Sequence, residues 1–323
     1  AQGRLKEALG MGWSAITLEM ADERRQWQIT KKGKVIAGRA KQAAAPDLSH
    51  NRTKELPLPA GSPDVFLQAT GIMGPEGNIR ADKQRKFTQI NAFLQLLDTV
   101  IEPQDRPLRI LDCGCGSAYL TFAAYHYLNT VRKIPALVVG IDTNATLIAK
   151  NQREAQRLGA QGIEFIAAEI STWQPDEAPD LVLALHACDT ATDDALALAE
   201  RSKAKAILCA PCCHQHLNSQ LDPALMRPVL RHGILLQRQA DLLTDALRAQ
   251  ILRIAGYRSD ILEFVTFEHS GRNLLIRAVA TDTRHQRQDR ADYQELVDFW
   301  QVRPYLAELL AAELALSDPG SPT

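Results

Sequence analysis

The chain has 323 residues, 46% of them hydrophobic and 23% charged, with a net charge of −1. That composition excludes a disordered or low-complexity chain and leaves ample length to bury a core. No apolar run approaches the roughly 20 residues that span a bilayer, and no charged-then-apolar leader opens the chain; a soluble, cytoplasmic protein with no membrane partner is expected. The chain opens Ala1-Gln2-Gly3 without a Met, as a processed or incomplete chain does. Six cysteines, of which Cys212 and Cys213 are adjacent, suit a reducing compartment rather than a disulfide framework.

Charge is unevenly spread. Residues 1–60 carry 11 Lys/Arg against 6 Asp/Glu, and the seven basic residues from Arg24 to Lys41 have no acid among them. Such a run points to a surface that docks polyanion, or to a solvated hairpin. Residues 12–38 read as two or three short strands with a turn at Lys32-Gly33. The Pro- and Gly-dense stretch that follows, through residue 78, reads as a linker or wrapped loop. A helix is expected over 81–101, because Phe87, Ile90, Leu94, Leu97 and Ile101 recur every three or four residues.

From residue 108 short apolar runs alternate with amphipathic segments. The runs lie at 108–111, 137–141, 163–167, 181–185, 206–209, 260–267 and 274–280, with helices expected at 147–158, 193–201 and 240–255. Buried runs of this length between helices define an α/β fold: a doubly wound, Rossmann-like sheet of seven strands. Only six residues separate the last two runs, so they pair antiparallel at the edge. The sequence thus divides into a basic β-rich appendage (1–60), a linker (61–79), the α/β domain (80–285) and a C-terminal helical extension (286–323), which Pro304 interrupts.

The stretch 108–116, LRILDCGCG, runs an apolar strand into Asp112, Gly114 and Gly116, and a helix is expected after it. Glycines there let the backbone approach a ligand that a Cβ would exclude. The next strand ends in Asp142, placed to accept hydrogen bonds from both hydroxyls of a ribose. The third ends in Glu169, where a carboxylate receives an adenine amino group while Ile170 packs on the ring. These strand ends resemble the class I S-adenosylmethionine-dependent methyltransferases. The alternatives are a nicotinamide enzyme or a non-catalytic α/β domain.

Strand four ends in LHACD (185–189) and strand five in APCCH (210–214), neighbours whose ends open on one crevice in a doubly wound sheet. Together with EFVTFEHSGRNLLIRA (263–278), they resemble one branch of those methyltransferases. That branch includes the eukaryotic tRNA 2′-O-methyltransferase, methyltransferase-like proteins, glutathione-S-transferase-C-terminal-domain-containing proteins and bacterial relatives. The resemblance covers about residues 80–281. It implies S-adenosyl-L-methionine as cofactor. Arg85 and Lys86 match the branch, but Gln89 stands where an acid is expected, and the tRNA enzyme's cysteine-rich modules are not evident.

Several uses of the clustered residues compete. Asp189 or His186 orients or deprotonates an acceptor for direct displacement. Alternatively, Cys212 or Cys213 attacks a pyrimidine ring as a thiolate. Zinc ligation is the third use, and small packing residues beside the pocket the plainest. Adjacent cysteines leave the chain in different directions, so no metal is expected. No N-P-P-[YF] sequence ends strand four, which argues against adenine-N6 chemistry. The expectation is a methyltransferase acting on RNA by direct transfer. A protein side chain is the alternative acceptor, and a non-catalytic cofactor- and RNA-binding module the alternative class.

Overall fold

The computed structural model describes residues 15–19, 23–29, 35–41, 56–185, 187–222, 224–264, 274–281 and 286–315. His186, Lys31, Lys32, Lys34 and the segment 265–273 lie outside these residues. Two units divide the chain, Ala1–Glu55 and Leu56–Thr323. In the first, strands β1 (Ala15–Glu19), β2 (Glu23–Ile29) and β3 (Val35–Lys41) form an antiparallel meander.

The second unit is built on the expected seven strands: β4 (Leu108–Cys113), β5 (Ala136–Asp142), β6 (Ile163–Ala167), β7 (Leu181–Ala184), β8 (Ala206–Cys209), β9 (Tyr257–Glu263) and β10 (Leu274–Ala280). Their order is β6-β5-β4-β7-β8-β10-β9. β10 runs antiparallel to both its neighbours, and the remaining pairs are parallel. β7 and β8 are buried at every position, as strands covered on both faces must be, and they read as unbroken apolar runs for that reason. The chain leaves β4 toward β5 and β6, then returns to lay β7 on its other side. The order reverses at β4–β7, and this is where doubly wound sheets open a ligand crevice.

Helices cover both faces. One layer is made by Gln84–Asp98 and Tyr119–His126, the other by Thr190–Arg201, Gly233–Ile254 and Gln286–Trp300. Gly233–Ile254 begins seven residues before the expected start at 240. Its first turns expose Ile234 and Leu235, which blurs the apolar stripe on which the sequence reading depends. β9 likewise starts at Tyr257, three residues early, because Tyr257 is buried and its hydroxyl donates to the Ala204 carbonyl at 2.9 Å. The C-terminal residues Val297, Trp300, Val302, Leu306 and Leu310 are buried in the second layer, on both sides of the break at Pro304.

The largest departure concerns the expected linker at 61–79. It contains the helix Val65–Ala69, and Leu58, Phe66, Leu67, Ile72 and Met73 all enter the core. Asp64 caps that helix and lies 2.9 Å from Nε2 of His126, whose ring stacks on Phe66. The prolines and glycines here shape a packed wrap, and the unit begins at Leu56. Leu67→Ala is therefore expected to cost about 2–5 kcal/mol in urea unfolding, as for a core leucine. A cost below about 0.5 kcal/mol, the range of surface substitutions, would restore the linker.

Candidate active site at the strand ends

The turn after β4 is fixed by the end of β5. The backbone N–H groups of Gly114 and Cys115 both donate to the Ile141 carbonyl, at 2.8 and 3.0 Å. Gly114 has φ +71°, and a Cβ there would lie 3.3 Å from the Ala187 backbone after β7. Gly116 has φ +52° and faces open space. A side chain is thus excluded at the first glycine by crowding and strain, and at the second by backbone conformation alone. Asn151 holds the loop from the other side, donating to the Gly116 carbonyl at 2.8 Å.

Asp142 ties the same loop to β5. One carboxylate oxygen accepts from the Gly116 N–H at 2.9 Å, the other from the Asn144 N–H at 2.8 Å. Each oxygen retains a lone pair, and the side chain is only half-buried. The Ala168 N–H donates to the Asp142 carbonyl at 3.1 Å, which brings the end of β6 alongside; Glu169 there is exposed and Ile170 half-buried against the core. Asp112 is buried in β4. Thr121 donates to one of its oxygens, while the other has no hydrogen-bond partner among the described residues. Burial pushes its carboxyl up to about 6 against the pull of the Thr121 hydroxyl, and the Asp142 charge adds to the rise. A buried, half-satisfied carboxylate beside a turn open at Gly116 fits a ligand that brings positive charge and hydrogen-bond donors. Adenosine carrying a cationic amino acid on sulfur is such a ligand.

On the helix before β4, Gln89 is buried and accepts the Tyr119 hydroxyl at 2.5 Å, while the Lys86 ammonium lies 5.1 Å above the Tyr119 ring. An amide thus meets the structural demand at the position where the resemblance expects an acid.

Across the crevice, β7 and β8 deliver the second group of residues. Asp189 takes φ +50°, and one of its carboxylate oxygens accepts from the N–H groups of Gln215 and His216, at 2.9 and 3.2 Å. It joins the two loops, and only its second oxygen is left to face an acceptor. The sulfurs of Cys188 and Cys212 are 3.2 Å apart and those of Cys212 and Cys213 3.7 Å apart. All three sulfurs lie within 4.8 Å of one another. The reason given for expecting no metal therefore fails: residues 211–214 are irregular, so successive side chains need not alternate as in a strand. Burial and the two neighbouring thiols push the Cys212 thiol up, which opposes its use as a thiolate nucleophile.

His214 points into the protein, between carboxylates. Nε2 is 2.7 Å from Asp245 and Nδ1 3.1 Å from Asp241. Arg248 extends the network, with two 2.8 Å bonds to Asp193 and a 3.0 Å bond to the Asp189 carbonyl. The sequence reading missed Asp193, Asp241, Asp245 and Arg248. Their signal was the spacing of 241, 245 and 248, which sets three charges on one face of a helix otherwise apolar at Ala240, Leu243, Leu247 and Ile251.

Residues 85–220 match the family model described as a methyltransferase domain. Over these residues the chain is similar to a methyltransferase domain. Among curated proteins it is similar to the glutathione S-transferase C-terminal domain-containing proteins. The identity is 24% over 159 residues for that of Bos taurus, covering 49% of this chain and 24% of the relative. For that of Mus musculus it is 26%, covering 49% and 23%. The chain spans about a quarter of the length of the curated relatives it matches. Solved structures similar to it include a SAM-dependent methyltransferase from Aquifex aeolicus (TM-score 0.40, 13% identity, 68% of this chain and 100% of that one). Another is the magnesium protoporphyrin IX methyltransferase of Synechocystis with bound SAH (TM-score 0.39, 16% identity, 67% and 96%).

The His214 network sets a pH dependence. Burial lowers the imidazole pKa, but the Asp241 and Asp245 carboxylates outweigh it and leave it above the ordinary 6.5. The protonated form is favoured by folding, so its stabilisation is complete below pH 6.5 and is lost as pH rises through the higher folded-state value. Thermal melts are expected to show this loss in the wild type and not in His214→Gln. A loss of the same size in both would remove His214 from the network's energetics.

Proposed function

We propose that the protein methylates RNA by direct displacement, with the donor on the β4–β6 side of the crevice and the acceptor at the ends of β7 and β8. S-adenosylmethionine supplies an electrophilic methyl group on a sulfonium sulfur. Asp142 accepts hydrogen bonds from the ribose hydroxyls, the backbone at Gly114 and Gly116 approaches the amino-acid portion, and Asp112 provides negative charge nearby. Glu169 receives the adenine amino group and Ile170 packs on the ring. Asp189 orients the acceptor through its remaining oxygen, together with His186 from the same loop, while Cys212 and Cys213 shape the pocket wall. Alignment is the main demand of such a transfer, since the donor is already activated.

The observation that carries the RNA assignment is the basic meander of the first unit. Seven basic residues and no acid run from Arg24 to Lys41 in sequence, and β2 and β3 carry Arg24, Arg25, Arg39 and Lys41 among them; Arg25 stands opposite Arg39, Arg24 opposite Glu19 of β1 and Lys41 opposite Glu23. A basic run of this kind is a surface that a polyanion fits. No disulfide joins the six cysteines, all of them among the described residues, which supports a reducing, cytoplasmic setting. No helix among the described residues is long and apolar enough to cross a membrane.

Replacing Arg24, Arg25 and Arg39 by Gln is expected to weaken RNA binding and lower its salt slope by up to about 0.7 per lost contact to single-stranded RNA. Donor affinity should not change. With radiolabelled donor and a cell extract, label should enter RNA. Label confined to protein, or an unchanged salt slope, would overturn the RNA assignment.

A further inference from the structure

We propose that Cys188, Cys212 and Cys213 form a zinc site in which three thiolates hold the ion across the ends of β7 and β8. The inference is independent of what the enzyme methylates. Sulfurs bound tetrahedrally to zinc at about 2.3 Å lie about 3.8 Å apart along each edge. The Cys188–Cys212 and Cys212–Cys213 separations of 3.2 and 3.7 Å both fall just short of that edge, and the third lies within 4.8 Å.

The donors are the right chemistry and are held in the right way. An all-thiolate set selects zinc over magnesium or calcium, which take oxygen. The ligands come from two loops that are already fixed to one another, by Asp189 on the N–H groups of Gln215 and His216 and by Arg248 on the Asp189 carbonyl. Ordering the site therefore costs little. Cys188 is exposed, so an ion has a route in, and the other two are half-buried, so a bound ion is shielded. Cys113, Cys115 and Cys209 are buried elsewhere as apolar packing and take no part. Binding releases three thiol protons to solvent, with no change of oxidation state. Three protein ligands leave the fourth tetrahedral position to a solvent oxygen, the arrangement of zinc sites that remain open.

The test uses the full chain, purified under reducing conditions without chelator or metal-affinity tag. Elemental analysis is expected to find about one zinc per chain, the stoichiometry of a single tetrahedral site. Stripping the zinc should release three further thiols to titration. When zinc alone is added back against a competing chelator, Cys188→Ser should bind it about 100-fold more weakly or worse. That is at or beyond the upper end of the about 10–100-fold effect of losing a group that only orients a ligand. Cobalt loaded into the stripped wild type should give a thiolate charge-transfer band that is absent in Cys212→Ser. Circular dichroism confirms that the exposed-site variant Cys188→Ser is folded. Zinc content or affinity no higher in the wild type than in the triple serine variant would overturn the proposal. So would a Cys188–Cys212 disulfide whose reduction yields no zinc binding.

Discussion

Arg248 is one of the largest side chains in the protein to be fully buried, and the β7–β8 side of the crevice hangs on it. A buried guanidinium is stable only if its donors are satisfied by well-placed acceptors, since the desolvation of each charge costs several kcal/mol. Here two parallel bonds to Asp193 and one to the Asp189 carbonyl satisfy Nε and Nη2, while Nη1 makes no hydrogen bond among the described residues and has the Asp245 carboxylate 3.5 Å away. Asp245 in turn holds His214. A single helix, Gly233–Ile254, thus grips the loop after β7 through Arg248 and the loop after β8 through Asp241 and Asp245. Removing any one member leaves a buried charge unmatched, so the network acts as a unit.

That grip explains how strained backbone persists beside the crevice. Asp189 holds φ +50° without being glycine, and Ala118 holds φ +55° at the start of the helix after β4. Conformations of this kind cost of order 1–3 kcal/mol and survive only where the surroundings over-determine them. At Asp189 the surroundings are the Gln215 and His216 amides and Arg248; at Ala118 they are a buried site and a bond to the Cys115 carbonyl. The β4–β5 side of the crevice is held more simply, by backbone bonds to Ile141 and by the two amides on Asp142. Rigid loops therefore face each other across β4 and β7, which is what alignment of donor and acceptor requires.

Much of this was legible in sequence, for physical reasons. Strands buried on both faces read as continuous apolar runs, so β4, β7 and β8 could be found without alignment. Glycines at positive φ next to a strand end marked the turn at Gly114 and Gly116, and strand-end carboxylates marked Asp142. What escaped was anything set by tertiary contact. The prolines and glycines before residue 79 disguised a core segment, because turn residues announce a change of direction and say nothing of burial. The early turns of Gly233–Ile254 escaped because their apolar residues are exposed. Cys212 and Cys213 were judged on strand geometry, whereas the chain leaves β8 at Cys209 and turns. The Arg248 network is written in helical spacing, but spacing alone does not tell a buried set of charges from a solvated one.

The central claim is that the turn at Gly114 and Gly116, together with Asp142, forms the donor site. Calorimetry of S-adenosylhomocysteine binding to the wild type and to Asp142→Ala tests it most directly. Loss of the acceptors for two ribose hydroxyls is expected to weaken binding by about 1.5–3 kcal/mol, the range for hydrogen bonds to a charged group. Equal affinity in the two proteins, or tighter binding of a nicotinamide dinucleotide by the wild type, would contradict the account.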